Sequence, residues 1–120
     1  MGLTYVTTKV SSIAQGGEPF EREFLVDTGA IDCLAPANLL HKAGIKIQGK
    51  DAYELANGDL VEYPYGFALV SFMGEETVTR IIFAEDGVEP ILGVVVLESV
   101  GIGIDPVTRT LKRMAAKPLK

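Results

Sequence analysis

A mainly β fold with one or two short helices is what this sequence predicts, and three observations point there. β-Branched and aromatic residues gather in short runs, clusters of Gly, Pro, Asn and Asp punctuate those runs, and one stretch after residue 60 carries apolar side chains at every second position. At 120 residues, with 48% hydrophobic and 22% charged residues, the chain is expected to be a single domain over 1–120 with a core of its own.

The elements follow in order. Tyr5 to Val10 and Phe20 to Val26 read as strands, and Gln15-Gly16-Gly17-Glu18-Pro19 between them reads as a turn, giving an opening hairpin. The second strand runs into Asp27-Thr28-Gly29 and a short loop. Pro36 at a first helical turn and Gly44 beyond the last one bracket a helix over Ala37 to Ala43. Asn57-Gly58 is a two-residue hairpin signal, and from Val61 onward Tyr63, Tyr65, Phe67 and Leu69 alternate as in a strand. A further hairpin is expected to turn at Gly74-Glu75, between Phe67 to Phe72 and Val78 to Ala84, before Glu85-Asp86-Gly87 ends the strand. Val94-Val95-Val96 taken alone is β-branched and reads as strand. Asp105-Pro106 starts a turn, and the tail from about residue 113 is expected to be a solvated, disordered end.

Composition removes several function classes. A net charge of −5, a pI near 4.8 and only scattered C-terminal basic residues give nucleic-acid binding no electrostatic footing. Charged residues such as Arg22, Glu23, Arg80 and Glu85 interrupt every apolar stretch before membrane-spanning length, and the start lacks a basic segment followed by an apolar run. The single cysteine, Cys33, cannot form a disulfide within the chain, which is compatible with a reducing compartment. The expectation is a cytoplasmic protein without membrane or nucleic-acid partners. One histidine and one cysteine cannot supply a nitrogen and sulfur metal site, and His41 with Cys33 lacks a third orienting group at a recognisable spacing. No cofactor and no metal is expected.

The residues that carry chemistry are in Phe24-Leu25-Val26-Asp27-Thr28-Gly29-Ala30, where an apolar strand delivers one carboxylate into a sharp glycine turn. Hydrolysis of a peptide by carboxylates needs one to activate water and a second, protonated one to give a proton to the carbonyl. This chain has one such motif. If it is catalytic, two copies must meet and share a dyad of two Asp27, one from each chain. The ordinary alternative is a turn aspartate that satisfies local backbone donors.

With Pro36-Ala37-Asn38-Leu39-Leu40 after the loop, and Pro90-Ile91-Leu92-Gly93, Leu97 and Gly101-Ile102-Gly103-Ile104-Asp105 near the end, the sequence resembles the retropepsin-like aspartic proteases over roughly residues 4 to 112. The resemblance implies a closed acid-protease barrel, a second short helix over residues 94 to 99, and a homodimeric endopeptidase acting on an extended peptide or protein substrate. It also implies an internal pseudo-twofold. Leu39-Leu40-His41-Lys42-Ala43-Gly44-Ile45 echoes Val96-Leu97-Glu98-Ser99-Val100-Gly101-Ile102, with Gly93 equivalent to the acid turn.

In that reading Asp27 is the catalytic acid or base, Thr28 is a buried hydroxyl bonding across the twofold, and Gly29 bends the loop and offers its amide to the carboxylate. Ala30 and Asp32 line the substrate site, Asp32 being equally readable as a solvated loop carboxylate. Ala56, Asn57 and Gly58 fall at the tip of a flap over the peptide, or form an ordinary hairpin turn. Retroviral members carry an ion pair near the dimer interface at the positions held here by Ile31 and Val94, so the interface is expected to differ. A catalytically silent dimerisation or peptide-binding module with the same fold is the alternative.

Overall fold

The two opening runs pair antiparallel in the computed structural model, which describes residues 3–14 and 16–116. They form β1 (Tyr5–Ser11) and β2 (Phe20–Val26), with Val10 opposite Phe20 and Tyr5 opposite Leu25. Gln15 of the expected turn, together with residues 1–2 and 117–120 at the chain ends, lies outside the described residues. After the Asp27 loop come β3 (Cys33–Pro36) and α1 (Ala37–Lys42), then β4 (Gly49–Glu54), β5 (Leu60–Phe72) and β6 (Glu75–Ala84). The chain ends with β7 (Ile91–Leu92), α2 (Val94–Ser99), β8 (Ile102–Ile104) and β9 (Leu111–Arg113).

The sheet order is β1-β2-β7-β3-β6-β5-β4, and β1 also pairs with β5 through Lys9 opposite Ser71. Six strands therefore close on themselves as a barrel, and β4 hangs outside it, paired only with β5. Closure removes the free edges of β1 and β5 that an open sheet would leave. Inside lie Val10, Phe24, Cys33, Val70, Ile81 and Leu92, with Leu40 of α1 and Leu97 of α2 plugging the ends, each at most 2% exposed. Burying side chains of this size contributes about 1.5–3 kcal/mol apiece.

Two expectations are corrected, the loop before the first helix and the turn of the second hairpin. The stretch after Ala30 contains a strand, β3, because Cys33 to Pro36 run parallel to Ile81–Ala84 and Leu34 sits opposite Ile91. The alternation in β5 marks the outer face: the buried set is Gly66, Ala68, Val70 and Phe72, while Tyr63, Tyr65 and Leu69 are half-buried and Phe67 is exposed. Small residues occupy the inner face there because a barrel interior of six strands has little width. The second hairpin turns at Met73-Gly74, whose φ values of 53° and 77° are those of a two-residue turn matching strand twist, so β6 begins at Glu75. Arg113 belongs to β9 and ion-pairs with Glu75 at 3.0 Å, and the Met114 N–H donates to the Gly101 carbonyl at 2.8 Å.

The three consecutive valines form α2, as the internal echo required. Gly44 and Gly101 have φ of 83° and 72°, each closes a six-residue helix, and each is followed by a buried isoleucine, Ile45 and Ile102. Among the described residues no helix is long and apolar enough to cross a membrane.

Candidate functional site

Asp27 directly follows the barrel strand β2, and the backbone there is held from two sides. The Val26 N–H donates to the Thr4 carbonyl at 2.8 Å, and the Asp27 N–H donates to the Leu92 carbonyl at 3.0 Å, continuing the parallel pairing of β2 with β7. The chain then reverses. The Ala30 N–H donates to the Asp27 carbonyl at 3.1 Å, and the Gly29 N–H donates to Asp27 Oδ1 at 2.9 Å, which aims the half-buried carboxylate with a backbone donor.

The second half of the chain braces this loop from below. The Val94 N–H donates to the Ala30 carbonyl at 2.8 Å and the Val95 N–H to the Ile31 carbonyl at 3.3 Å, so the first turn of α2 is stapled to the loop. Gly93 leads into that turn with no space for a side chain. A Cβ there would lie 2.5 Å from the Ile31 carbonyl oxygen and 2.6 Å from that of Asp32. The Gly93 N–H also points at the sulfur of buried Cys33, whose thiol is pushed up to about 12 chiefly by burial; a thiol so suppressed is not a nucleophile at neutral pH. His41 packs its ring on Phe83 at 5.0 Å between centroids.

Of the sequence-derived residues, Asp27, Thr28, Gly29, Ala30 and Asp32 share this one loop. Thr28 is exposed in the single chain. Ile31 in the loop and Val95 in α2, joined by a backbone bond, are exposed at 67% and 41%. Asp32 is half-buried, with Oδ2 accepting from the Tyr53 hydroxyl at 3.1 Å, so it is not a freely solvated carboxylate.

Ala56, Asn57 and Gly58 form the exposed tip of the β4–β5 hairpin, but not as a two-residue turn. Only Gly58, at φ 91°, adopts positive φ; the Gly58 N–H donates to the Leu55 carbonyl at 2.9 Å and the Leu55 N–H to the Asp59 carbonyl at 2.8 Å. That is a three-residue connection ending in a left-handed glycine, in which Asn57 caps the Asp59 N–H at 2.9 Å.

Sequence reasoning missed the group that joins hairpin to loop. Beside Tyr53, which meets Asp32, stands Arg80, whose guanidinium ion-pairs with Asp51 at 2.8 Å and lies 3.9 Å over the Tyr65 ring. Asp51, Tyr53, Tyr65 and Arg80 come from three adjacent strands, and only the strand register could have brought them together. Among the described residues no three His, Cys, Asp or Glu side chains converge to hold a metal ion.

The arrangement is chemically simple: one backbone-oriented carboxylate at the end of a barrel strand, exposed apolar side chains on its loop and on α2, and a β-hairpin tied to that loop through Tyr53. No protein-family model matches the chain, and no curated protein matches its sequence.

Proposed function

We propose that the chain is a retropepsin-like aspartic endopeptidase, active as a homodimer in which the two Asp27 carboxylates form one dyad. The observation that carries this reading is the setting of Asp27: it ends a barrel strand, its carboxylate is aimed by the Gly29 amide, and its loop is stapled to α2. Such bracing suits a group that must hold its position while a proton moves, since small misplacements of a reacting group are costly to rate.

One Asp27, ionised, takes a proton from water as the oxygen attacks the peptide carbonyl. Its symmetry mate, protonated, donates to the carbonyl oxygen, and the proton taken from water goes on to the departing amine. The chain's own contribution is to exclude other geometries. Thr28, exposed in the single chain, is available to bond across the twofold, and Ile31 with Val95 offers apolar area for the partner to cover. Leu34 and Ile91, half-buried and paired side by side next to the loop, supply a floor for an extended peptide, and the hairpin ending in Ala56-Asn57-Gly58 acts as its flap.

The test is Asp27→Asn against wild type, assayed for peptide hydrolysis and for mass by sedimentation equilibrium on the same preparation. The expected result is a dimer in both cases and a rate loss of about a thousandfold or more in the variant, because an amide cannot act as a general base. A wild type that is monomeric yet fully active sinks the shared dyad. A wild type that binds peptide and never cleaves it supports the silent binding module instead.

A further inference from the structure

Tyr53 is the one half-buried side chain between Gly49 and Val61; Glu54 to Leu60 are exposed throughout, so beyond Tyr53 the hairpin tip has no buried side chain. The Tyr53 hydroxyl donates to Asp32 Oδ2 at 3.1 Å. Two residues earlier on the same strand, Asp51 ion-pairs at 2.8 Å with Arg80, whose guanidinium lies 3.9 Å over the face of Tyr65. The Tyr53–Asp32 bond therefore ties the outermost strand, β4, to the loop that carries Asp27, across a sequence separation of 21 residues.

We infer that Tyr53 is a positioning residue: its hydroxyl tethers the β4–β5 hairpin to Asp32 and so sets the height of the hairpin over the Asp27 loop. This rests on the reading of that loop as the active site, but the tether itself is measurable without catalysis. Burial raises the Tyr53 hydroxyl above its ordinary range, and the Asp32 acceptor adds to this, so the donor proton stays in place through the neutral range. With the tether made, a peptide entering between loop and hairpin meets a hairpin already near its bound position. With the tether broken, ordering the hairpin is charged against peptide binding.

The experiment is amide hydrogen exchange on full-length wild type, Tyr53→Phe, Asp32→Ala and the double variant, followed by peptide kinetics on the same samples. Each single variant is expected to speed exchange of the residue 52–60 amides about tenfold, the double variant no further, and strands β2 and β6 not at all. In Tyr53→Phe, KM rises about five- to tenfold with kcat changed less than about threefold, a split that general loss of structure would not give. Unchanged exchange in Tyr53→Phe, a speed-up spread over the barrel, or additive effects in the double variant each overturn the tether. A wild type without peptidase activity overturns the proposed function alone, and the exchange data then decide the tether by themselves.

Discussion

Replacing Gly93 by alanine adds a single methyl group at the point where the two halves of the chain press together. The backbone there, φ −88° and ψ 174°, is one that any residue adopts, so the effect is purely one of space. The new Cβ would stand 2.5 Å and 2.6 Å from the carbonyl oxygens of Ile31 and Asp32 and 2.7 Å from the Asp32 carbonyl carbon. Real contacts of this kind stay beyond 3.0 Å, so something must move by about half an ångström. The obstructing atoms are backbone and cannot rotate away. Overpacking of this type costs about 1–3 kcal/mol, with a value toward the upper end expected where backbone must yield. The segment that yields is the Asp27 loop, stapled to Val94 and Val95, and on the proposed function a displacement of that order is expected to lower hydrolysis about tenfold to a hundredfold. Urea unfolding gives the first quantity, peptide kinetics the second, and backbone amide shifts of Thr28 to Asp32 locate the movement. Gly103→Ala is the control, since a Cβ at that position meets nothing within 4 Å and should leave both quantities unchanged within about 0.5 kcal/mol. Equal stability and unmoved loop shifts for Gly93→Ala would refute the reasoning.

Two further outcomes are expected. Ile31→Lys puts a cation on an exposed side chain of the loop, so monomer stability should change by less than about 0.5 kcal/mol while the proposed dimer weakens at least about tenfold by sedimentation equilibrium; an unaffected dimer would remove this patch from the interface. Cys33 is raised from 9.0 to about 12 by burial, so the unfolded chain ionises there first as pH rises. Its contribution is complete below pH 9 and is lost between 9 and about 12, roughly 4 kcal/mol at 1.36 kcal/mol per unit, and the alkaline fall in urea midpoint should be smaller in Cys33→Ala.

What was legible in the sequence was what local chemistry decides. β1, β2 and the helix bracketed by Pro36 and Gly44 are visible because period, caps and turn residues agree, and the five loop residues from Asp27 to Asp32 named as a site do share one loop. β3 escaped because four residues ending in proline make no periodic signal; its identity comes from Ile81 to Ala84, far along the chain. In β5 both faces are apolar, so alternation alone could not say which turned inward, and barrel width decided it. α2 runs against the propensity of its valines, whose cost is outweighed by burying Val96 and Leu97 between two glycines that shape its ends. The Tyr53–Asp32 tie was invisible for a plainer reason: neither residue carries a mark of the other, and only the register of β4 on β5 and β6 brings them within 3.1 Å.

The near-symmetry of the two halves bears on why assembly and activity would be linked. β2 and β7 lie parallel, Val26 beside Leu92, and each leads at once into a tight turn, one bearing Asp27 and the other Gly93. A chain carrying an acid at both turns would need no partner. Here that route is closed by packing, because the loop carbonyls occupy the space in which any side chain at residue 93 would have to lie. The tightness that denies the second half a carboxylate is what holds the first half's carboxylate still, through the bonds from Val94 and Val95 to the loop. On the proposed reading, a chain rigid enough to present one Asp27 has thereby given up supplying the second, and must take it from another copy. Peptidase activity should therefore fall with dilution more steeply than protein concentration, tracking the fraction of dimer; strict proportionality down to concentrations at which the chain sediments as a monomer would break the link.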